Sequence, residues 1–242
     1  MKKSLTLLFI CSSATLIAQT FEKKLNHFSK VVASPKINLV MMEGPNESVK
    51  IVYANVDPSK INMVVRHRTL HIYLDGSKFT EKRKRVNFDG EVRKENVYRD
   101  VSITAYVTYN KLQKLVVRGE QEVDIQGPIE NKKFKLSAYG ECDITLASLQ
   151  VGWFKAALYG QNVVRIKEGF ADEQKYKLFG ENRIDAQALQ SEEIASTTYG
   201  ESKLRFQAKQ NLRLVTVGES NVYVKGSPEV SKLTLGEISI KR

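Results

Sequence analysis

Two columns of side chains carry the chemical potential of this 242-residue sequence, one of carboxylates and one of aromatic rings. Seven glycines, Gly119, Gly140, Gly160, Gly180, Gly200, Gly218 and Gly236, recur 21, 20, 20, 20, 18 and 18 residues apart. The residue after each is Glu120, Glu141, Gln161, Glu181, Glu201, Glu219 or Glu237, and the residue before four of them is Tyr139, Tyr159, Phe179 or Tyr199. Carboxylates accept hydrogen bonds, ligate hard cations and, paired at a set distance, hydrolyse glycosidic bonds. Aromatic rings offer a face to a sugar or a stacking surface to one another. Were equivalent residues on adjacent strands, they would stand about 4.8 Å apart. Carboxylates at ~5 Å repel by roughly 0.8 kcal/mol even in water, so the four adjacent Glu–Glu pairs cost about 3 kcal/mol unless splayed or compensated.

Three readings of the carboxylate column stand together: side chains splayed into solvent or paired with Lys and Arg, a divalent cation bridging them, or a stripe that binds a ligand. The Gly-Gly-x-Gly-x-Asp nonapeptide of calcium-loaded β-rolls does not occur in the sequence. The aromatic column reads either as a stacked support for a turn or as a platform for sugar rings flanked by Glu acceptors. Tyr139, Tyr159, Phe179, Tyr199, Glu141, Glu181 and Glu201 are therefore the candidate ligand-binding residues. No catalytic residue stands out. Acid pairs such as Glu141/Asp143 and Glu181/Asp185 are what any acidic repeat offers, and His27, His67 and His71 match no zinc spacing. Nucleophile elbow, phosphate loop and dinucleotide fingerprint are all missing. The expectation is a protein without enzymatic activity, metal or cofactor. The alternative is a carbohydrate-active lyase or hydrolase.

The elements that position these columns are strands. Four and six residues past the glycine lie Val123/Ile125, Ile144/Leu146, Val164/Ile166, Ile184/Ala186, Leu204/Phe206 and Val222/Val224, with Asp124, Thr145, Arg165, Asp185, Arg205 and Tyr223 between them. That period of two marks a strand with one buried face. The glycine supplies a backbone position that a side chain would obstruct. Two residues after it come Gln121, Cys142, Asn162, Asn182, Ser202 and Ser220, read as small polar turn formers. A strand-bearing repeat of 18–21 residues without helical periodicity predicts one coil of a β-solenoid, in preference to an up-and-down barrel. The first part, 28–115, predicts irregular coils with strands at Val31–Ala33, Ile37–Met42, Val49–Tyr53, Ile61–Val65, Leu70–Leu74 and Val101–Thr108. Within it a polar insertion, 78–100, holds eight basic and five acidic residues and reads as a mobile excursion.

Phe28-Ser29-Lys30-Val31-Val32, Ile37-Asn38-Leu39-Val40, Val49-Lys50-Ile51 and Thr69-Leu70-His71-Ile72 resemble the opening of a known family, and Val101–Val107 with Leu112-Gln113-Lys114-Leu115 resemble the strand before its repeats. The family is the auto-transporter adhesin head domain, also called the GIN domain or DUF2807 family of bacterial envelope proteins, and the resemblance runs from 28 to 241. It implies an all-β, right-handed parallel β-helix-like fold and an exported location, and transfers no catalytic residue. The second glycine of the family's Gly-Ser-Gly turn is replaced here, as in Gly140-Glu141-Cys142.

A formal charge of +11 and the run Lys82-Arg83-Lys84-Arg85 invite a nucleic-acid reading, but the N-terminus opposes it. Lys2 and Lys3 precede the apolar runs Leu5–Ile10 and Ala14–Ala18, the layout of a signal peptide over residues 1–19. Losing those two lysines brings +11 to +9, and losing Cys11 leaves Cys142 alone. The remaining residues, 20–242, read as one domain with glycine-centred repeats over 116–242, located in the periplasm, on the outer-membrane surface or outside the cell. The expected partners are an envelope or extracellular polysaccharide or a surface protein, with no nucleic acid and no transmembrane helix. An uncapped C-terminal coil predicts association of like copies.

Overall fold

The computed structural model of the protein describes residues 19–89 and 91–242. The expected signal peptide lies outside the described residues except for Gln19, which opens the first strand. The chain is all-β: β1 (Gln19–Lys24), β2 (Lys30–Ala33), β3 (Asn38–Glu43), β4 (Ser48–Ala54), β5 (Ile61–Arg66), β6 (Thr69–Leu74), β7 (Arg83–Phe88), β8 (Glu91–Asn96), β9 (Ser102–Tyr109), β10 (Lys114–Ile166), β11 (Gly169–Lys225) and β12 (Glu229–Lys241). A single 3-10 turn, Pro58–Lys60, is the only helical piece among the described residues. No helix there is long and apolar enough to cross a membrane.

β10 and β11 are extended throughout, yet a straight strand of 53 residues would be roughly 170 Å long at strand rise. They bend back on themselves so that each repeat lies beside the next. β10 pairs with β11 in parallel, with Gly160 opposite Gly180, and β11 pairs with β12 in parallel, with Gly218 opposite Gly236. At the other end β10 pairs in parallel with β2 and β3, which pair in turn with β6 and β9. Every residue four or six places past the first six repeat glycines is at most 4% exposed, and none of the residues between them is buried. The two-residue alternation thus builds one continuous core. The core also holds a second run of aromatics, in which Phe154 lies between Phe134 and Tyr176, and Tyr176 meets Phe206.

The irregularity expected of the first part takes the form of antiparallel pairing. There β4 pairs antiparallel with β9 and β1, and β5 pairs antiparallel with β6. β1 and β5 form the two ends of this sheet order, and β4 lies next to β1. The β5–β6 connection is a two-residue hairpin at His67-Arg68, both with positive φ (48° and 57°), the backbone that right-handed strand twist requires. His67 thus lies in a turn and His71 in β6. The polar insertion is likewise ordered into a hairpin: β7 and β8 form a separate antiparallel pair, with Asp89 at φ 55° in the turn.

At the far end β12 pairs with β11 alone among the described residues. Leu233 and Leu235 are 69% and 75% exposed there. Lys232 stands opposite the buried Leu214, at a core-facing register position, and is exposed. A charge at that position disfavours continuation of the sheet by another strand.

Candidate functional site

The two columns flank a spine of stacked glycines. All seven have φ between +94° and +126°, a conformation L side chains rarely adopt. From Gly140 onward each also sits on the one before. A Cβ added there would lie 2.1–2.6 Å from the carbonyl oxygen of the preceding repeat glycine. Backbone curvature and close approach both demand glycine, and each corner turns the residue before and the residue after outward.

The residues before the glycines form a ladder of parallel rings. Tyr139–Tyr159, Tyr159–Phe179 and Phe179–Tyr199 have centroids 5.0, 4.8 and 5.1 Å apart and planes within 7° of parallel. Tyr139, Tyr159 and Tyr199 are 41%, 37% and 46% exposed, and Phe179 is half-buried. The structure brings all four sequence-predicted rings together on the outside. Their faces, however, are turned to one another, so solvent meets ring edges and the three tyrosine hydroxyls. A sugar stacked face-on has no free ring face at Tyr159 or Phe179. The column continues with Arg118 beyond Tyr139 and with Val217 and Leu235 beyond Tyr199.

Glu141, Glu181 and Glu201 are exposed and line one shallow trough of about 440 Å³ together with Gln161, Arg183 and Lys203. Among the described residues no Lys, Arg or His nitrogen lies within 4.0 Å of a carboxylate of this column. The neighbouring aspartates are engaged: Arg165 binds Asp143, and Arg205 binds Asp185 at 3.2 Å. In both candidate acid pairs, Glu141/Asp143 and Glu181/Asp185, one member is thus held in an ion pair. No three His, Cys, Asp or Glu side chains among the described residues converge to hold a metal ion.

The second position after the glycine differs from its sequence reading. Gln121, Cys142, Asn162, Asn182, Ser202 and Ser220 are not solvent-facing turn residues but a buried polar column. Asn162 accepts from the Cys142 backbone N–H at 3.2 Å and donates to Asn182 Oδ1 at 3.1 Å; Asn182 donates to the Phe179 carbonyl at 3.2 Å. Ser202 and Ser220 continue the column at 2.9 Å. Inward parity with the residue two places before the glycine was the signal that could have identified it.

Cys142 belongs to this column, 2% exposed, and burial pushes its thiol up to about 11. The thiolate is the nucleophile, so native protein is expected to resist iodoacetamide at pH 8, with full labelling on unfolding; labelling at the rate of a free thiol would contradict the burial. The raised value also has a sign for stability. The thiol's contribution is complete below the ordinary value of 9.0 and is lost as pH rises towards about 11, where the unfolded chain alone has given up its proton.

The family model described as "Putative auto-transporter adhesin, head GIN domain" matches residues 27–228. No curated protein matches the chain. Among solved structures, a putative adhesin from Bacteroides fragilis is similar at 18% identity and TM-score 0.70, over 93% of this chain and 97% of that one. A putative adhesin from Parabacteroides distasonis is similar at 15% and 0.69, over 94% and 97%. One from Parabacteroides merdae is similar at 15% and 0.63, over 93% and 95%. At these identities the likeness is one of fold.

Proposed function

The chain belongs to the auto-transporter adhesin head GIN-domain family, and from that membership we propose that it is an exported, non-catalytic binding module of the bacterial envelope, built as a right-handed β-solenoid. Its binding face is the strip along the glycine spine, and its ligand is an extended neutral or amino-bearing glycan. The observation that carries this reading is the uncompensated repetition of acceptors: Glu141, Gln161, Glu181 and Glu201 line one trough on a backbone stacked in register. A polymer with its own regular spacing meets the same group again at each step. The ring ladder holds the strip rigid and adds the hydroxyls of Tyr139, Tyr159 and Tyr199 along its edge. Two observations weigh against the lyase or hydrolase alternative: Asp143 and Asp185 are tied to arginines, and the strip is open to water rather than enclosed. Association of like copies through the C-terminal coil would bury the exposed Leu233 and Leu235 but must overcome Lys232.

Glycan-array binding of the wild type and of Glu181→Gln/Glu201→Gln tests the reading. The double variant is expected to bind about tenfold or more weakly, because several hydrogen bonds to charged acceptors are weakened at once. It is also expected to melt no lower than wild type, since removing adjacent like charges relieves repulsion. Unchanged binding would move the site off this strip, and turnover of a glycan abolished by one Glu→Gln change would make the protein an enzyme.

A further inference from the structure

The ring ladder ends at Arg118, and the geometry there points to a second, more selective subsite. Arg118 follows Tyr139 in the outward column, and its guanidinium carbon lies 5.6 Å from the centroid of that ring and 5.4 Å from the centroid of Phe79. Phe79 comes from the connection between β6 and the β7–β8 hairpin and is 67% exposed. Together with Lys36, Glu81 and Glu120 these residues line a recess of about 300 Å³ at the head of the ladder.

The charges in this recess are unequally matched. Lys36 lies 3.7 Å from Glu81, whose other carboxylate oxygen accepts from Asn96 at 2.8 Å. Arg118 has no such partner: among the described residues no carboxylate lies within 4.0 Å of it, and its side chain makes no hydrogen bond. With neither an ion pair nor a hydrogen bond its N–H fork is free, and that fork matches a carboxylate in two parallel hydrogen bonds. Phe79 is 67% exposed and outside the stack, whereas Tyr159 and Phe179 each lie between two parallel rings. The Glu120 carboxylate and the Thr80 hydroxyl at the rim are suited to sugar hydroxyls.

We propose that this recess binds a single carboxylated sugar ring, of the uronic acid type, at one end of a glycan whose remaining residues lie along the strip. The carboxylate sits on the Arg118 fork and the ring lies on Phe79. This deepens the glycan-binding reading and rests on it for the orientation of the polymer. The carboxylate column from Glu120 onward repels further negative charge, so a terminal acidic residue fits and a polyuronate does not.

Titration calorimetry on the full chain with D-glucuronate, D-glucose, benzoate and inorganic phosphate tests the subsite apart from the strip. Glucuronate is expected to bind with millimolar Kd, at least about tenfold tighter than glucose, because only the acid engages the fork. Arg118→Gln and Arg118→Lys are each expected to lose about tenfold, the lysine because a point charge does not replace the fork. Phe79→Ala is expected to lose a few-fold through the missing ring face. Both side chains are at the surface, and an unchanged melting curve shows that each variant is folded. Glucuronate binding no tighter than glucose, or undiminished in Arg118→Gln, overturns the proposal. Benzoate or phosphate binding more tightly than glucuronate overturns its sugar component. The strip is read separately, by the array binding of Glu181→Gln/Glu201→Gln. If glycans bind there while glucuronate fails, the recess alone is wrong; if glucuronate binds while no glycan does, the strip alone is wrong.

Discussion

Replacing Gly160 by Ala is expected to lower the free energy of unfolding by about 4 kcal/mol, from backbone strain and overpacking together. At φ +108° the residue lies where a Cβ is sterically unwelcome, at a cost of order 1–3 kcal/mol. The new Cβ would also stand 2.2 Å from the Gly140 carbonyl oxygen, so two hydrogen-bonded strands must separate to admit it. Backbone cannot swing aside as a side chain can, and forced repacking of that kind costs a further ~1–3 kcal/mol. Gly76 is the matched control. It has φ +73°, but its added Cβ meets the flexible end of Lys82, so Gly76→Ala is expected to cost only about 1 kcal/mol. Urea denaturation of both variants separates the two contributions. Equal small losses would mean that the glycine stack yields easily and does not set the spacing of the rings on its flank. With total stability of order 5–15 kcal/mol for a domain, the expected loss at Gly160 brings the repeats near unfolding.

The repeats were legible because one physical demand recurs at one position. Positive φ and contact with the preceding glycine are satisfied by a single residue type, so Gly140, Gly160, Gly180, Gly200 and Gly218 announce themselves. The alternation behind them is equally explicit, and Ile144, Val164, Ile184 and Leu204 are all fully buried, as their parity requires. The first part was half legible. β2 to β6 and β9 fall within a residue or two of the expected strands, but their pairing sense was hidden. His67-Arg68 makes a tight hairpin without the Asn or Gly that usually marks one. Asp89-Gly90 does carry that mark, yet charge density over 78–100 masked it. β1 was missed because Gln19-Thr20-Phe21-Glu22-Lys23-Lys24 has little apolar content, and it is exposed along most of its length.

The candidate site was legible in position and not in orientation. Sequence spacing places Tyr139, Tyr159, Phe179 and Tyr199 in one column, and the structure stacks them there. Whether a ring shows its face or its edge depends on χ angles, which alternation does not encode. That difference changes the chemistry: edges and hydroxyls remain for a partner along the ladder, while Phe79, 67% exposed at its head, stands outside the stack. Arg118 and Phe79 are 39 residues apart in the sequence and share no motif, so nothing short of the fold would have joined them.

Removing the amide at the centre of the buried polar column is the second large effect. Asn162→Ala is expected to cost about 3 kcal/mol, since it leaves the Cys142 N–H and Asn182 Oδ1 without the partners they have now, each at ~1–3 kcal/mol when buried. Asn182→Ala should cost a similar amount, because it strips Asn162 Nδ2 and the Phe179 carbonyl. The double variant is expected to cost less than the sum, by about 1 kcal/mol, as the Asn162–Asn182 bond is counted in both single changes. Ser202→Ala should cost only about 1 kcal/mol, because Ser220 keeps Thr216 at 3.0 Å as an alternative partner and the contact Thr198 loses is a long one, 3.4 Å. Urea denaturation gives all four values, and strict additivity of the asparagine pair would show that they do not act as one ladder. The consequence reaches the surface through Phe179. Its carbonyl is held by Asn182 from inside while its ring lies between Tyr159 and Tyr199 outside. Loosening the inner bond frees the corner that keeps these rings parallel. The near-ultraviolet dichroism of the stacked tyrosines should therefore fall in Asn182→Ala while the far-ultraviolet strand signal persists. The buried amides and the exposed rings are two sides of one corner, and the strip along the spine is only as regular as the column beneath it.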